Sequence, residues 1–187
     1  MAELDEKRFV IFGKQGSGKT ELVKHILRST KNHVVYDRTK HDYPGFTRYL
    51  PNDSQSAQEM SDFVLLNIVK NPNRPRLFVL DEANLFLQPK PSRLPTGIAE
   101  LNDLGRHLKM TWGVVSRLPS QFHSDITQLA DHIFVYRLNG YQDKQFLNKM
   151  MVGGNIGDRA ANLQPFHFLH YDVGSGSVTL HKPIDIT

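Results

Sequence analysis

The chain has 187 residues, of which 39% are hydrophobic and 22% charged, with a formal net charge of +4 and no cysteine. That length suits one domain with an ordinary core, and the lack of cysteine excludes disulfides and thiolate metal sites. No apolar stretch is long enough to span a bilayer and no signal-peptide pattern opens the chain, so a soluble intracellular protein is expected.

Apolar runs alternate with helical patterns, which is the signature of a parallel α/β sheet. In chain order the sequence predicts a strand at Phe9–Phe12, a helix at Thr20–Ser29, a strand at His33–Tyr36 and a helix at Gln55–Lys70. A strand at Leu77–Leu80 follows, then a helix at Ile98–Leu108 and a strand at Thr111–Ser116. A short helix near Asp125–Ala130, a strand at His132–Tyr136 and a helix at Asp143–Met151 complete the alternation. The end differs: Phe166–Tyr171 and Ser177–His181 flank Gly174-Ser175-Gly176 and read as a β-hairpin. Gln88–Thr96, with Pro89, Pro91 and Pro95, is neither helix nor central strand. Gly153-Gly154-Asn155-Ile156-Gly157 reads as a helix stop and turn.

The first strand runs straight into Gly13-Lys14-Gln15-Gly16-Ser17-Gly18-Lys19-Thr20, a complete Walker A pattern between strand and helix. Glycines let backbone N–H groups cradle phosphate oxygens, Lys19 reaches the β- and γ-phosphates, and the Thr20 hydroxyl ligates Mg²⁺. The following helix turns its positive end toward the same anion. Arg76–Glu82 is an apolar strand ending in two carboxylates, a Walker B pattern. There Asp81 suits Mg²⁺, and Glu82 suits a general base that deprotonates water for attack on the γ-phosphate. Small-molecule kinases have no use for that Glu. Switch GTPases need Asn-Lys-x-Asp, and the nearest match, Asn148-Lys149-Met150-Met151, lacks the Asp. ATP hydrolysis with Mg²⁺ is therefore expected. Lys14 also occurs at this place in partition-type ATPases, but those have a glycine where this chain has Gln15, so Lys14 is read as an ordinary loop residue.

With the Walker pair, the segment from Leu104 to Leu138 extends the likeness. It carries Gly105-Arg106 before a strand, a polar group, Ser116, at that strand's end, and Arg117-Leu118-Pro119 after it. The chain resembles the FtsK–HerA superfamily of ring-forming DNA motors, most of all the genome-packaging ATPases of tailless, membrane-containing double-stranded DNA viruses. The resemblance implies an α/β, RecA-like P-loop NTPase of the additional-strand type: a mainly parallel sheet flanked by helices, with the sensor strand between the Walker A and Walker B strands. The resemblance spans about residues 8–140 and does not reach the tail from Asn139 onward; with the helix and hairpin read from the residues at about 141–187, a single ATPase domain over residues 1–187 is expected. The resemblance also implies ATP-driven translocation of double-stranded DNA by a homo-oligomeric, plausibly hexameric ring, with a capsid-vertex or membrane docking protein, in the host cytoplasm or on the virion.

Two departures from the family pattern stand out. Ser116 takes the place of the usual Gln sensor, and Leu118 separates Arg117 from Pro119. Ser116 is either that sensor or a plain strand-ending serine. Arg106 points away from the apolar stripe of Ile98, Leu101, Leu104 and Leu108. The resemblance makes it the candidate trans arginine finger, with Arg117 as fallback and a solvated helix Arg as the bland alternative. Residues 7–48 hold ten Lys or Arg against Glu21, Asp37 and Asp42. That surplus fits a nucleotide and a polyanionic partner, or equally a solvated basic face. Lys90 and Arg93 in the Pro-rich loop are the DNA-contact candidates, through backbone phosphates. His167 and His170 give no credible metal site. A filamentous-phage assembly ATPase and a slowly hydrolysing nucleotide-dependent scaffold remain the alternatives.

Overall fold

The computed structural model describes residues 4–150 and 155–185. Its strands are β1 (Arg8–Phe12), β2 (His33–Tyr36), β3 (Arg48–Tyr49), β4 (Leu77–Leu80), β5 (Thr111–Ser116), β6 (His132–Tyr136), β7 (Phe168–Asp172) and β8 (Ser177–His181). They form one sheet in the order β3-β2-β4-β5-β1-β6-β7-β8. Pairing is parallel from β3 through β6, and β7 and β8 add antiparallel. The helices are α1 (Lys19–Leu27), α2 (Ala57–Phe63), α3 (Thr96–Leu104), α4 (Ser124–Gln128), α5 (Tyr141–Met150) and α6 (Ile156–Ala161).

Every residue of β1, β4, β5 and β6 is buried, as expected for central strands covered on both faces. Side-chain alternation splits them between two cores. Phe9, Ile11, Val79, Val115 and Phe134 meet Leu22, Val23, Ile26 and Leu27 of α1. Val10, Phe12, Phe78, Leu80, Trp112, Val114 and Val135 meet Met60, Ile98, Leu101, Leu147 and Ile156 on the opposite face.

The strands follow the sequence closely and the helices less so. The 55–70 helix begins at Ala57, where the Ser56 hydroxyl accepts the Glu59 N–H at 3.0 Å. From Val64 to Val69 it is π-helical. Here the Asn67 side-chain amide donates to Phe63 O at 3.1 Å, taking the carbonyl that its own backbone N–H would use in an α-helix. α3 stops at Leu104 rather than Leu108; beyond it the chain tightens into turns, with His107 N–H donating to Leu104 O three residues back at 2.8 Å, and Gly105 packs beneath Trp112, where a Cβ would sit 2.8 Å from the indole nitrogen. Leu104 is consequently exposed and leaves the expected apolar stripe. The hairpin's first strand begins at Phe168, two residues late, since Phe166 turns with φ 62°. β3 and α6 were not anticipated. Met151 and the glycines of the expected stop at 153–154 lie outside the described residues.

Three histidines line the outer sheet. His170 stacks on Phe134 with centroids 4.6 Å apart, and its Nε2 lies 3.0 Å from His132 Nδ1. His181 lies beyond it on β8. Among the described residues no group of three His or acidic side chains can hold a metal ion. Burial, then the neighbouring His132, pushes the His170 imidazole down to about 4; burial lowers His132 and His181 as well. The unfolded imidazole titrates near 6.5. Between those values the unfolded chain binds more protons, so stability falls as pH drops through that window. Thermal melts from pH 7 to 4.5 should show a steady loss of Tm that His170→Gln flattens; an equally steep profile in the variant would contradict this.

Candidate nucleotide site

The loop between β1 and α1 closes through backbone contacts. Gly13 N–H donates to Ser116 O at 3.2 Å, tying the loop to β5. A Cβ on Gly13 would meet Ser17 Oγ at 2.6 Å and Tyr136 Cβ at 2.7 Å, so only glycine fits. Gly18 leads into α1 at φ 104°, a left-handed conformation that glycine adopts without strain. Its carbonyl accepts the Tyr136 hydroxyl at 3.1 Å. Lys14, Gln15 and Gly16 form the exposed apex, while Lys19 is buried at the base. Lys14 Nζ donates to Asn139 Oδ1 at 2.6 Å, which holds the apex toward the chain that follows β6.

Lys19 Nζ donates to Lys14 O at 3.0 Å. Burial lowers its pKa, opposed by Asp81 and Glu82, so the site's two signs of charge feel each other. Asp81 follows β4 and is only 5% exposed. It accepts the Tyr43 hydroxyl at 2.7 Å and the Glu82 N–H at 2.8 Å. Burial still pushes its carboxyl up to about 6. Tyr43 is fully buried and fixes the orientation of Asp81.

Glu82 sits at φ 52°, a turn that swings its side chain off the strand line. Its Oε2 lies 2.8 Å from Arg117 Nε. The N–H does not point at that oxygen, which leaves an ion contact rather than a directed hydrogen bond. Ser116 ends β5 level with Phe12 of β1, while Leu80 of β4 is level with Val114, so Ser116 and Asp81 emerge on adjacent strands. The Ser116 and Ser17 hydroxyls are buried with no hydrogen-bond partner among the described residues.

These residues fit a Mg²⁺-bound polyphosphate. Two orphaned hydroxyls, a buried ammonium with a single partner and a buried carboxylate all converge on one loop. An unpaired buried polar group costs free energy until a ligand satisfies it.

Other sequence candidates lie elsewhere. Arg106 is exposed and lies near Arg8, whose pKa is lowered by burial first and then by Arg106, at the opposite end of the strands from Asp81. Arg117, the fallback finger, faces Glu82 of its own chain. In the Pro-rich loop Lys90 Nζ contacts Asp125 at 2.6 Å, and His123 reaches Ser92 O at 3.0 Å, so the loop is pinned to α4; Arg93 is exposed. A cavity of about 650 Å³ opens among His25, Arg28, Arg76 and Thr111. It lies by the start of β5, remote from the loop, and Asp5 is the one carboxylate in its lining. Sequence reasoning missed Tyr43 and Asn139. Tyr43 sits in an irregular loop with no motif around it, and Asn139 follows the last strand of the pattern. No helix among the described residues is long and apolar enough to cross a membrane.

No family model matches the chain, and no curated protein matches it in sequence. Solved structures do match in fold. The genome-packaging NTPase B204 of Sulfolobus turreted icosahedral virus 2, in complex with AMPPCP, superposes with a TM-score of 0.77 at 20% identity, covering 98% of this chain and 100% of that one. The N-terminal domain of zonular occludens toxin from Neisseria meningitidis gives 0.56 at 14% identity over 96% and 95%. Thermomonospora curvata EccC (ATPases 2 and 3) gives 0.59 at 11%, covering 98% of this chain but 37% of that one. The chain thus has a P-loop NTPase fold, mostly parallel with a C-terminal strand pair. The resemblance seen in its motifs holds at the level of fold.

Proposed function

We propose that the chain is an ATPase that drives double-stranded DNA translocation as a homo-oligomeric ring and packages a viral genome. The observation that carries this reading is the placement of β5 between β1 and β4, which gathers Lys19, Asp81, Glu82 and Ser116 at one end of the sheet. The likeness to B204, a genome-packaging NTPase, supports the cargo. The unit that acts is a single ATPase domain with its core at about residues 8–140.

Each residue has a role in the reading. Backbone N–H groups of the loop that follows Gly13, up to Thr20, cradle the phosphates, while Gly13 N–H stays on Ser116 O, and Lys19 neutralises the β/γ charge. Thr20 and Asp81 hold Mg²⁺, which would draw charge off the phosphate oxygens. Glu82 leaves its contact with Arg117, accepts a proton from water and lets the hydroxide form a bond to the γ-phosphorus as the bond to ADP breaks. The orphaned Ser116 hydroxyl orients that water or the γ-phosphate. An intact Glu82 favours turnover over a slow scaffold.

Arg106 cannot serve its own site from the far end of the strands, so it is assigned to a neighbour's γ-phosphate. Lys90 and Arg93 are assigned to DNA phosphates. The exposed Lys90–Asp125 contact is worth little in water and is readily exchanged for a phosphate. A docking protein at the capsid vertex or membrane, and a location in the host cytoplasm or on the virion, belong to the same reading.

DNA-stimulated ATP turnover tests the cargo. Duplex DNA of any sequence should raise the rate, and replacing Lys90 and Arg93 with Ala should reduce that rise and flatten its salt dependence by about one slope unit per lost contact. A rate indifferent to DNA would refute translocation, and an unchanged salt slope would remove the loop from the contact. For assembly, Arg106→Ala and Glu82→Gln subunits should each be inactive alone and partly active when mixed. Absence of recovery, with native mass spectrometry showing mixed rings, would return Arg106 to an ordinary surface residue.

A further inference from the structure

Beside the phosphate loop lies a cavity of about 190 Å³ lined by Gly18, Glu21, Tyr136, Phe166, Pro183 and Ile184. Apart from Glu21 and the Tyr136 hydroxyl, its side chains are apolar. Its position follows from strand order. β5 and β4 lie on one side of β1 and carry Ser116, Asp81 and Glu82; β6, β7 and β8 lie on the other. Tyr136 ends β6, Phe166 precedes β7, and Pro183 and Ile184 follow β8. A triphosphate whose γ end faces Glu82 therefore directs its α end, and whatever that end bears, toward the cavity.

Phe166 is hard to explain by packing. It holds φ 62°, an uncommon conformation for a bulky residue, yet its side chain stays 54% exposed. Its ring lies close over the loop, with Cδ1 3.5 Å from where a Cβ on Gly18 would stand. A large aromatic held in an uncommon conformation at the mouth of an apolar cavity gains little for the fold and exposes a π-face to an incoming group. Tyr136 is the opposite case: buried, and tied by its hydroxyl to Gly18 O, it makes a rigid wall.

We propose that this cavity is the nucleobase subsite, with Phe166 stacking on the face of the base and Pro183, Ile184 and Tyr136 forming the remaining walls. The inference rests on the ATPase reading and deepens it. The triphosphate is held by the loop, and a flat heteroaromatic ring is held by the segments flanking β7 and β8. The C-terminal strand pair is then part of the nucleotide site. Recognition is through the π-face, so affinity follows stacking strength, purines above pyrimidines, rather than a hydrogen-bond code.

The test is calorimetry of the full chain in Mg²⁺, with ATP and with inorganic tripolyphosphate as probes. Wild type should bind both, ATP more tightly. Phe166→Ala should weaken ATP on the order of tenfold, the weight of one stacked base, and leave tripolyphosphate unchanged; Phe166→Tyr should restore ATP. Equal loss for both probes would mean that the variant disturbs the loop, and no loss for either would mean that the ring does not stack. Each outcome overturns the subsite. Wild type binding tripolyphosphate as tightly as ATP would overturn the subsite and leave the phosphate loop standing. Wild type binding neither would bring down the phosphate loop and the subsite together.

Discussion

The parallel hydrogen bonding of β5 to β1 on one side and β4 on the other is the constraint on which the site depends. Without β5, the Walker A loop and the Walker B carboxylates would leave from neighbouring strands. With it they are separated by one strand, and Ser116 fills the gap between them. The Gly13–Ser116 backbone bond transmits that register directly to the phosphate loop. Strands buried on both faces cannot slip by one residue without turning both cores inside out, so the geometry is held by the whole sheet.

Charge is the second organising factor. Lys19, Asp81 and Glu82 sit close together in partial burial, and none is satisfied in the way a structural ion pair would be. Asp81 is held by Tyr43 and by the Glu82 amide, so its direction is fixed although burial penalises its charge. Glu82 leans on Arg117 through a contact of poor direction, which a competing partner can displace. Such an arrangement gains more from a polyanion and a dication than from any side chain present. That is the expectation for a binding site rather than a stability device.

The sequence made the chemistry legible where local pattern and long-range placement coincide. Gly13 to Thr20, Asp81 and Glu82 form Walker patterns by spacing alone, and the structure brings them to one end of the sheet; five of the parallel strands are continuous apolar runs. Helix ends were less legible because hydrogen bonds outside the apolar pattern set them. The turn-type bond from His107 N–H to Leu104 O ends α3, and the Asn67 amide, taking the Phe63 carbonyl, accompanies the π-helical turn. Tyr43, Asn139 and Phe166 were invisible for a different reason. Each acts from an irregular segment, and its partner lies far away in sequence. Arg106 is exposed although the helix from which its direction was read ends at Leu104, and only the structure puts it at the far end of the strands from its own carboxylates.

The account stands or falls on the buried ammonium at the base of the loop. Lys19 has a single hydrogen-bond partner, a carbonyl of the loop itself, so a triphosphate is the ligand that would justify its burial. Calorimetric titration of Mg·ATP into Lys19→Ala, beside wild type, measures this directly. The account predicts that tight binding disappears while the melting temperature without nucleotide holds or rises. Unchanged ATP affinity in that variant would contradict it and place the nucleotide elsewhere on the molecule.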